Sequence, residues 1–433
     1  MTQAAFVRTE MVPEQAPPIT SSGVIGWMRK NLFDGWMNSL LTVVSLVAVG
    51  ALLYEILPWI FRSSWTAGSL NECREQIKEA YGPDASGACW AVIRERYAQL
   101  TFGFYPSELY WRPILAFILM LGAMAPVLFS NLPRKLLWFS GLYPFIAAWL
   151  LWGGSVWGPL SALAGFIIGF ALLLAITPRF GAILGVIAAV LGPIIWWTLL
   201  SGTVIDVLDS IIPIALEPVK SRNFGGFMLS ITIGVTGIVA SLPIGIVLAL
   251  GRQSDLLIVK SLCVGFIEFI RGVPLITLLF VASTLLNIFL PPGTDFDIIV
   301  RVMIMVTLFS AAYMAEVIRG GLAALPRGQY EAADALGLDY WKAQRLIIMP
   351  QALKISIPGI VGTFIGLFKD TTLVMIIGLM DPLGLSTAIR ANQEWNGIVW
   401  ELYGFIALVF WIFCFSMSRY SMYLERKLQT ENH

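Results

Sequence analysis

Glutamate and arginine stand three residues apart, with glycine following, at two places in otherwise apolar sequence: Glu268-Phe269-Ile270-Arg271-Gly272 and Glu316-Val317-Ile318-Arg319-Gly320. On a helix this spacing puts both side chains on one face, where they neutralise each other. The same groups could instead meet a ligand. An arginine grips a carboxylate through two parallel hydrogen bonds, a glutamate receives an ammonium, and a zwitterionic amino acid carries both. A third polar island, Lys369-Asp370-Thr371-Thr372, follows the apolar run Ile355–Phe368 and reads either as more of such a lining or as a helix break. Glu268, Arg271, Glu316, Arg319, Lys369, Asp370 and Thr371 are therefore the candidate pathway residues. The sole histidine is His433, the last residue of the sequence, so neither a histidine-based metal site nor a Ser-His-Asp triad is expected.

The elements that must position these charges are membrane helices. Hydrophobic residues make up 58% of the chain and charged residues 13%, with mean hydropathy +0.79; soluble domains carry about 25% charged residues. Spans of roughly 20 apolar residues cross a hydrocarbon core. They are expected near 38–60, 112–131, 136–153, 159–177, 182–200, 226–250, 257–286, 299–319, 355–379 and 401–420. The fold class is an all-α membrane protein of about ten transmembrane helices. Gly and Pro interrupt 155–205, where one span could be re-entrant. Residues 1–30 are polar and read as a disordered tail. The first span lacks a small-residue cleavage site and reads as a retained anchor.

Orientation follows the lysines and arginines. Arg134 and Lys135, Arg179, Arg252, the 320–354 loop and the Arg419–Lys427 tail fall on one side with the N-terminus. The loops around Asp206/Asp209, Asp295/Asp297 and Asp381/Glu394 fall on the other and lean acidic. Both termini are then cytoplasmic. Loop 62–110 breaks the rule, carrying Arg62, Arg74, Lys78, Arg94 and Arg96 as well as Glu72, Glu75, Glu79, Asp84 and Glu95, but long loops cross with little regard to charge. Composition divides the chain near 205–225. Residues 31–205 hold spans almost free of charge apart from Glu55, whereas the later spans hold the charged candidates. An intramembrane charge costs at least about 2.5–3.5 kcal/mol at a helix centre, so charges there pair or line a path.

The longest inside loop contains Pro326-Arg327-Gly328, Glu331-Ala332-Ala333-Asp334-Ala335-Leu336-Gly337, Asp339 and Leu346-Ile347-Ile348-Met349-Pro350. It reads as two short helices. Alanines favour the first, Gly337 ends it in a left-handed cap, Asp339 caps the second, and Pro350 ends that one. Ala332, Ala333 and Gly337 would let another surface approach the backbone, with Glu331 as a polar anchor. A solvated connector would look much the same.

Glu331-Ala332-Ala333, three residues, Gly337, nine residues and Ile347-Ile348-Met349-Pro350 resemble the "EAA" signature of membrane subunits of ATP-binding-cassette importers, departing only in Met349 where leucine is usual. The phrases Phe266–Leu275 and Phe368–Leu373 resemble the polar amino-acid branch, and 222–427 its five-helix type I core. The wider architecture resembles the larger permease subunit of general or neutral L-amino-acid systems, with 155–205, which holds extra apolar helix, as a departure from that pattern. The resemblance implies a bacterial inner-membrane protein whose loop 326–350 couples to an ATPase through Glu331, Ala332, Ala333, Gly337, Ile347 and Pro350. It also implies a homologous second permease subunit, two ATPase subunits and a periplasmic amino-acid-binding protein. ATP and Mg²⁺ belong to the ATPase; this chain shows no Gly-rich Lys-Ser/Thr phosphate loop, is non-catalytic and carries no cofactor. Loop 62–110 would be periplasmic, where Cys73 and Cys89 either pair or stay free thiols; Cys263 and Cys414 lie in apolar runs as small buried side chains. The rival is an ion-coupled secondary transporter, which would show repeats across its halves. An intramembrane enzyme would want a Ser/Lys dyad or paired aspartates inside spans.

Overall fold

The computed structural model describes residues 23–129, 131–285 and 297–430. Residues 1–22 of the expected tail, Asp295 and His433 lie outside that range. The tail expectation fails for its last part: residues 23–30 belong to helix α1 (Gly23–Asn31). Val24, Ile25, Trp27 and Met28 give it bulky apolar side chains, and Arg29 and Lys30 complement the dipole at its C-terminal end.

The chain divides into two compact units, 1–91 and 92–433. In the first, α2 (Trp36–Phe61) buries none of its residues, as a lipid-facing span would. Helix α3 (Leu70–Tyr81) starts at Ser69, whose side chain accepts from the Glu72 N–H. It buries Leu70, Cys73 and Ile77, the i, i+3, i+7 stripe of an amphipathic helix. Cys73 and Cys89 are joined as a disulfide, with Cα atoms 6.1 Å apart.

The second unit opens with α4 (Ala91–Phe102), α5 (Trp111–Leu128) and α6 (Leu137–Trp152). The uncertain stretch 155–205 forms two full spans. These are α7 (Trp157–Phe180) and the run α8 (Ala182–Ile195), a π turn (Trp196–Leu200) and α9 (Ser201–Ile211). Neither has the sharp bend of a re-entrant pair. Gly165 sits under the Trp197 ring and Gly169 against Pro193, so small residues let the helices touch. A two-residue antiparallel ladder, Gly154–Ser155 with Ala215–Leu216, joins the start of α7 to the end of α9.

The core contains α10 (Gly226–Arg252), α11 (Leu257–Gly272), α12 (Leu275–Phe280), α13 (Ile298–Ala323), α14 (Arg327–Ala335), α15 (Tyr340–Ala343), α16 (Met349–Asp370), α17 (Pro382–Ala391) and α18 (Trp400–Thr430). Helix α13 is central. Gly237, Ser241, Gly245 and Ala249 of α10 recur every four residues and are all buried. A side chain at Gly245 would meet Met314 Cβ at 2.7 Å and one at Gly237 would meet Val306 at 3.2 Å. This small-residue stripe lets α10 and α13 pack backbone to backbone, the main source of association where lipid and side chain are equally apolar.

Among the described residues, nine helices are long and apolar enough to cross a membrane, ten if a bent pair counts as one span. That pair occupies the expected span near 257–286. Leu257–Gly272 and Leu275–Thr284 meet at 102°, because Pro274 supplies no N–H and forces Val273 into extended backbone (φ −104°, ψ 132°).

Candidate functional site

Segment 326–350 begins where α13 ends. Helix α14 closes on three main-chain bonds: Leu336 N–H to Ala332 O, Gly337 N–H to Asp334 O (2.9 Å) and Leu338 N–H to Ala333 O (3.2 Å). The last two are the paired bonds of a Schellman cap, which needs a left-handed residue at the first position past the cap. Gly337 supplies it with φ +68°. Asp339 then caps α15, accepting from the Lys342 N–H at 3.0 Å and pairing with Lys342 Nζ at 2.9 Å. Those contacts hold its carboxyl below the usual carboxylate range. Leu325, Tyr330, Ile347 and Ile348 pack with Ile318 and Leu322 of α13, and Gln351 Nε2 donates to Gln329 Oε1. The segment is thus fastened to the ends of α13 and α16, so a force on it reaches both helices.

Two expectations for the segment need correction. Pro350 does not end the second helix; helical backbone continues from Tyr340 to Asp370. A π turn at Gln344–Ile348 precedes it, with Met349 N–H bonded to Gln344 O. Pro350 then stands in the first turn of α16, where its missing N–H has no helical partner to lose. Ala333 is also not on a docking face, being buried by the chain itself, whereas Glu331, Ala332, Gly337 and Pro350 are exposed and Ile347 is half-buried. Apolar exposure is concentrated beside the cap: Leu336 is 71% and Trp341 70% exposed, with Tyr340 and Leu346 next to them.

The charged candidates gather at the same end of the core. Glu316 of α13 is their hub, with Arg252 Nη1 at 2.7 Å, Arg319 Nη2 at 3.0 Å and Arg271 Nη1 at 3.8 Å. Glu316–Arg319 is the expected i, i+3 pair. Glu268–Arg271 is not formed. Glu268 instead accepts from Arg252 at 2.9 Å, and Arg271 lies over the Tyr313 ring, 5.5 Å from its centroid. Arg252 thus joins α10 to both α11 and α13. Sequence reading used it only as a topology marker, because its partners lie on other helices. The network holds three arginines and two glutamates, so one positive charge is uncompensated within it.

Lys369, Asp370 and Thr371 are not part of this group. Ser356 and Gly359 of α16 pack beside Val317, so Lys369 lies roughly 15 Å further along the helix at 1.5 Å per residue. Here the helix break is the structural outcome: α16 stops at Asp370 and a 3₁₀ turn follows over Thr371–Ile377. Buried Thr371 donates to Phe368 O at 2.7 Å. Sequence reasoning also missed two buried arginines: Arg301 donates to Ser283 O at 2.9 Å and Arg112 to Glu217 O at 2.6 Å. Both are isolated basic residues in apolar runs, which was the available signal.

Residues 241–430 match the family described as binding-protein-dependent transport system inner membrane component. The chain is 60% identical over 437 residues, covering all of both chains, to the glutamate/glutamine/aspartate/asparagine transport system permease protein BztC of Rhodobacter capsulatus. It is 41% identical, with 96% of each chain covered, to the inner membrane amino-acid ABC transporter permease protein YhdY of Escherichia coli K12. A shorter relative, the glutamate/aspartate import permease protein GltK of Escherichia coli O6:H1, is 32% identical over 47% of this chain and 91% of its own length. Whole-length similarity to such permeases sets aside the secondary-transporter reading, and the chain belongs to the amino-acid ABC transporter permeases, multi-pass inner-membrane components of binding-protein-dependent transport systems.

Proposed function

We propose that this chain forms half of the translocation pathway of an ATP-driven importer of acidic amino acids and their amides, and receives the force of ATP hydrolysis through segment 326–350. The observation that carries the reading is the capped α14: Gly337 at φ +68° holds exposed Glu331, Ala332 and Leu336 beside Trp341, on a segment fastened to α13 and α16. The substrate class follows the names of BztC and GltK. A homologous permease subunit completes the pore, two ATPase subunits hold the ATP and Mg²⁺, and a periplasmic binding protein delivers the amino acid. Segment 326–350 and both termini lie in the cytoplasm, 62–110 in the periplasm with its Cys73–Cys89 bridge. The organisation is a tail (1–30), an extension (31–205) and the transport core (222–427). Glu268, Arg271, Glu316 and Arg319 act at the cytoplasmic end of the path, and Lys369, Asp370 and Thr371 deeper within it.

The test is co-purification of the ATPase with the assembled membrane subunits. Gly337→Asp strains the cap and Glu331→Lys reverses the anchor charge; both are expected to cut ATPase retention at least tenfold while the membrane subunits stay together. Retention equal to that of the unaltered chain in both variants would remove this segment from coupling.

A further inference from the structure

The N-terminal extension reaches the core at the end opposite segment 326–350, and does so main chain to main chain. Helix α16 runs away from that segment and α18 returns, so 371–399 lies at the far end. There α17 has only 10 residues, about 15 Å, too short to span. It nonetheless buries Pro382, Gly384, Leu385, Ser386 and Ile389. Two residues before it, Met380 accepts the Gly226 N–H at 2.8 Å and bridges Gly225. On the other side of Gly225 stands the extension. Gly103 bridges Phe224, and Phe104 N–H donates to Asn223 O at 3.0 Å.

No side chain fits between these three strands of backbone. A Cβ on Gly103 (φ +71°) would stand 2.4 Å from Gly225 Cα, and one on Gly225 would stand 2.8 Å from both Gly103 Cα and Met380 O. Atoms that close must shift, and backbone cannot yield as a side-chain tip does. Around the joint, Phe224 is fully buried between Tyr105 and Trp152, and Tyr105 Oη donates to Leu151 O. A second tie runs from Arg96 of α4 to Glu394, just beyond α17, at 3.1 Å. GltK matches this chain over less than half its length.

We infer that the extension pins α17, with Gly103 and Arg96 as positioning residues that act on transport through that helix. The inference rests on the transport reading above for its consequence, not for the pin itself. Pinned, α17 holds the far mouth of the path in one seat until a loaded binding protein arrives. Loosened, it lets the ATPase cycle idly.

Backbone amide exchange in the purified complex tests the pin, and ATP hydrolysis without binding protein tests its consequence. Gly103→Ala is expected to speed exchange across 382–391 at least tenfold while 344–370 is unchanged, and to raise idle ATP hydrolysis about threefold with the fully stimulated rate unaltered. Arg96→Glu does the same more weakly, about twofold for idle hydrolysis, and adding Glu394→Arg restores both readouts. This charge-reversal pair decides the matter if Gly103→Ala fails to assemble. Unchanged exchange across 382–391 in the variants that assemble overturns the pin. Faster exchange with an unchanged idle rate overturns its role in transport. An unaltered complex showing no ATP-driven uptake refutes the transport reading instead, and leaves the exchange result standing.

Discussion

The two ends of the core are held by different means. At the end bearing segment 326–350, side chains make the connections: Arg252 links Glu268 and Glu316, and Arg271 and Arg319 converge on Glu316. At the far end the connection is backbone on backbone, through Gly103, Gly225, Gly226 and Met380. Charged side chains on flexible stems can exchange partners as helices shift, and each partly exposed pair contributes little. Two backbones in van der Waals contact have no such freedom.

The largest effect is expected where backbone meets backbone. Gly226 has φ +60°, and a Cβ there would stand 2.0 Å from Leu100 O. Gly226→Ala should therefore destabilise the protein by about 3 kcal/mol or more from strain and overpacking together, read as a fall in the thermal midpoint of the detergent-purified complex. A loss under 1 kcal/mol would mean that the joint is soft.

Next comes the hub of the other end. Glu316→Ala leaves three arginine side chains facing one another with only Glu268 as counter-charge, and should cost about 2 kcal/mol, below the range for fully buried pairs because the arginines are partly hydrated. Uptake should fall more steeply than stability. By contrast, Arg252→Lys should cost under about 1 kcal/mol, since an ammonium can still serve one of the two carboxylates; equal losses for both variants would erase the distinction between hub and tie.

Asp381 sharpens the comparison from the far side. It is fully buried and caps α17, accepting from the Leu383 and Gly384 N–H groups. Burial pushes its pKa up to about 6, against the pull of those N–H groups. The fold therefore favours the protonated carboxyl. That stabilisation is fully present below the ordinary aspartate pKa and is lost as pH rises through 6. Asp381→Asn keeps an acceptor for the cap and carries no charge. Its thermal midpoint relative to the unaltered protein should climb between pH 4 and 7, by the equivalent of about 2 kcal/mol. A pH-independent difference would contradict this account.

Span positions were legible because about 20 apolar residues per crossing is a one-dimensional signal. So were the local signals at Gly337 and Asp339, where cap geometry depends only on neighbours in sequence. Partner choice was not. Glu268 and Arg271 have ideal helical spacing, yet Arg252, 16 residues earlier, takes Glu268, while Arg271 turns to the Tyr313 ring and Glu316 of α13. Pro350 misled for a related reason: a proline stops a helix only where an N–H is needed, and the π turn at Gln344–Ile348 moves it into a first turn. The glycine joint could not be read at all, because Gly103 and Gly225 are distant in sequence and each looks like an ordinary loop glycine.

The most direct test of the central claim is uptake of radiolabelled glutamate into vesicles holding the full complex, with the loaded binding protein outside and ATP sealed inside. Uptake should require internal ATP, persist when ion gradients are collapsed, and fall at least tenfold with Gly337→Asp. Uptake driven by an ion gradient without ATP, or undiminished by Gly337→Asp, would contradict the account.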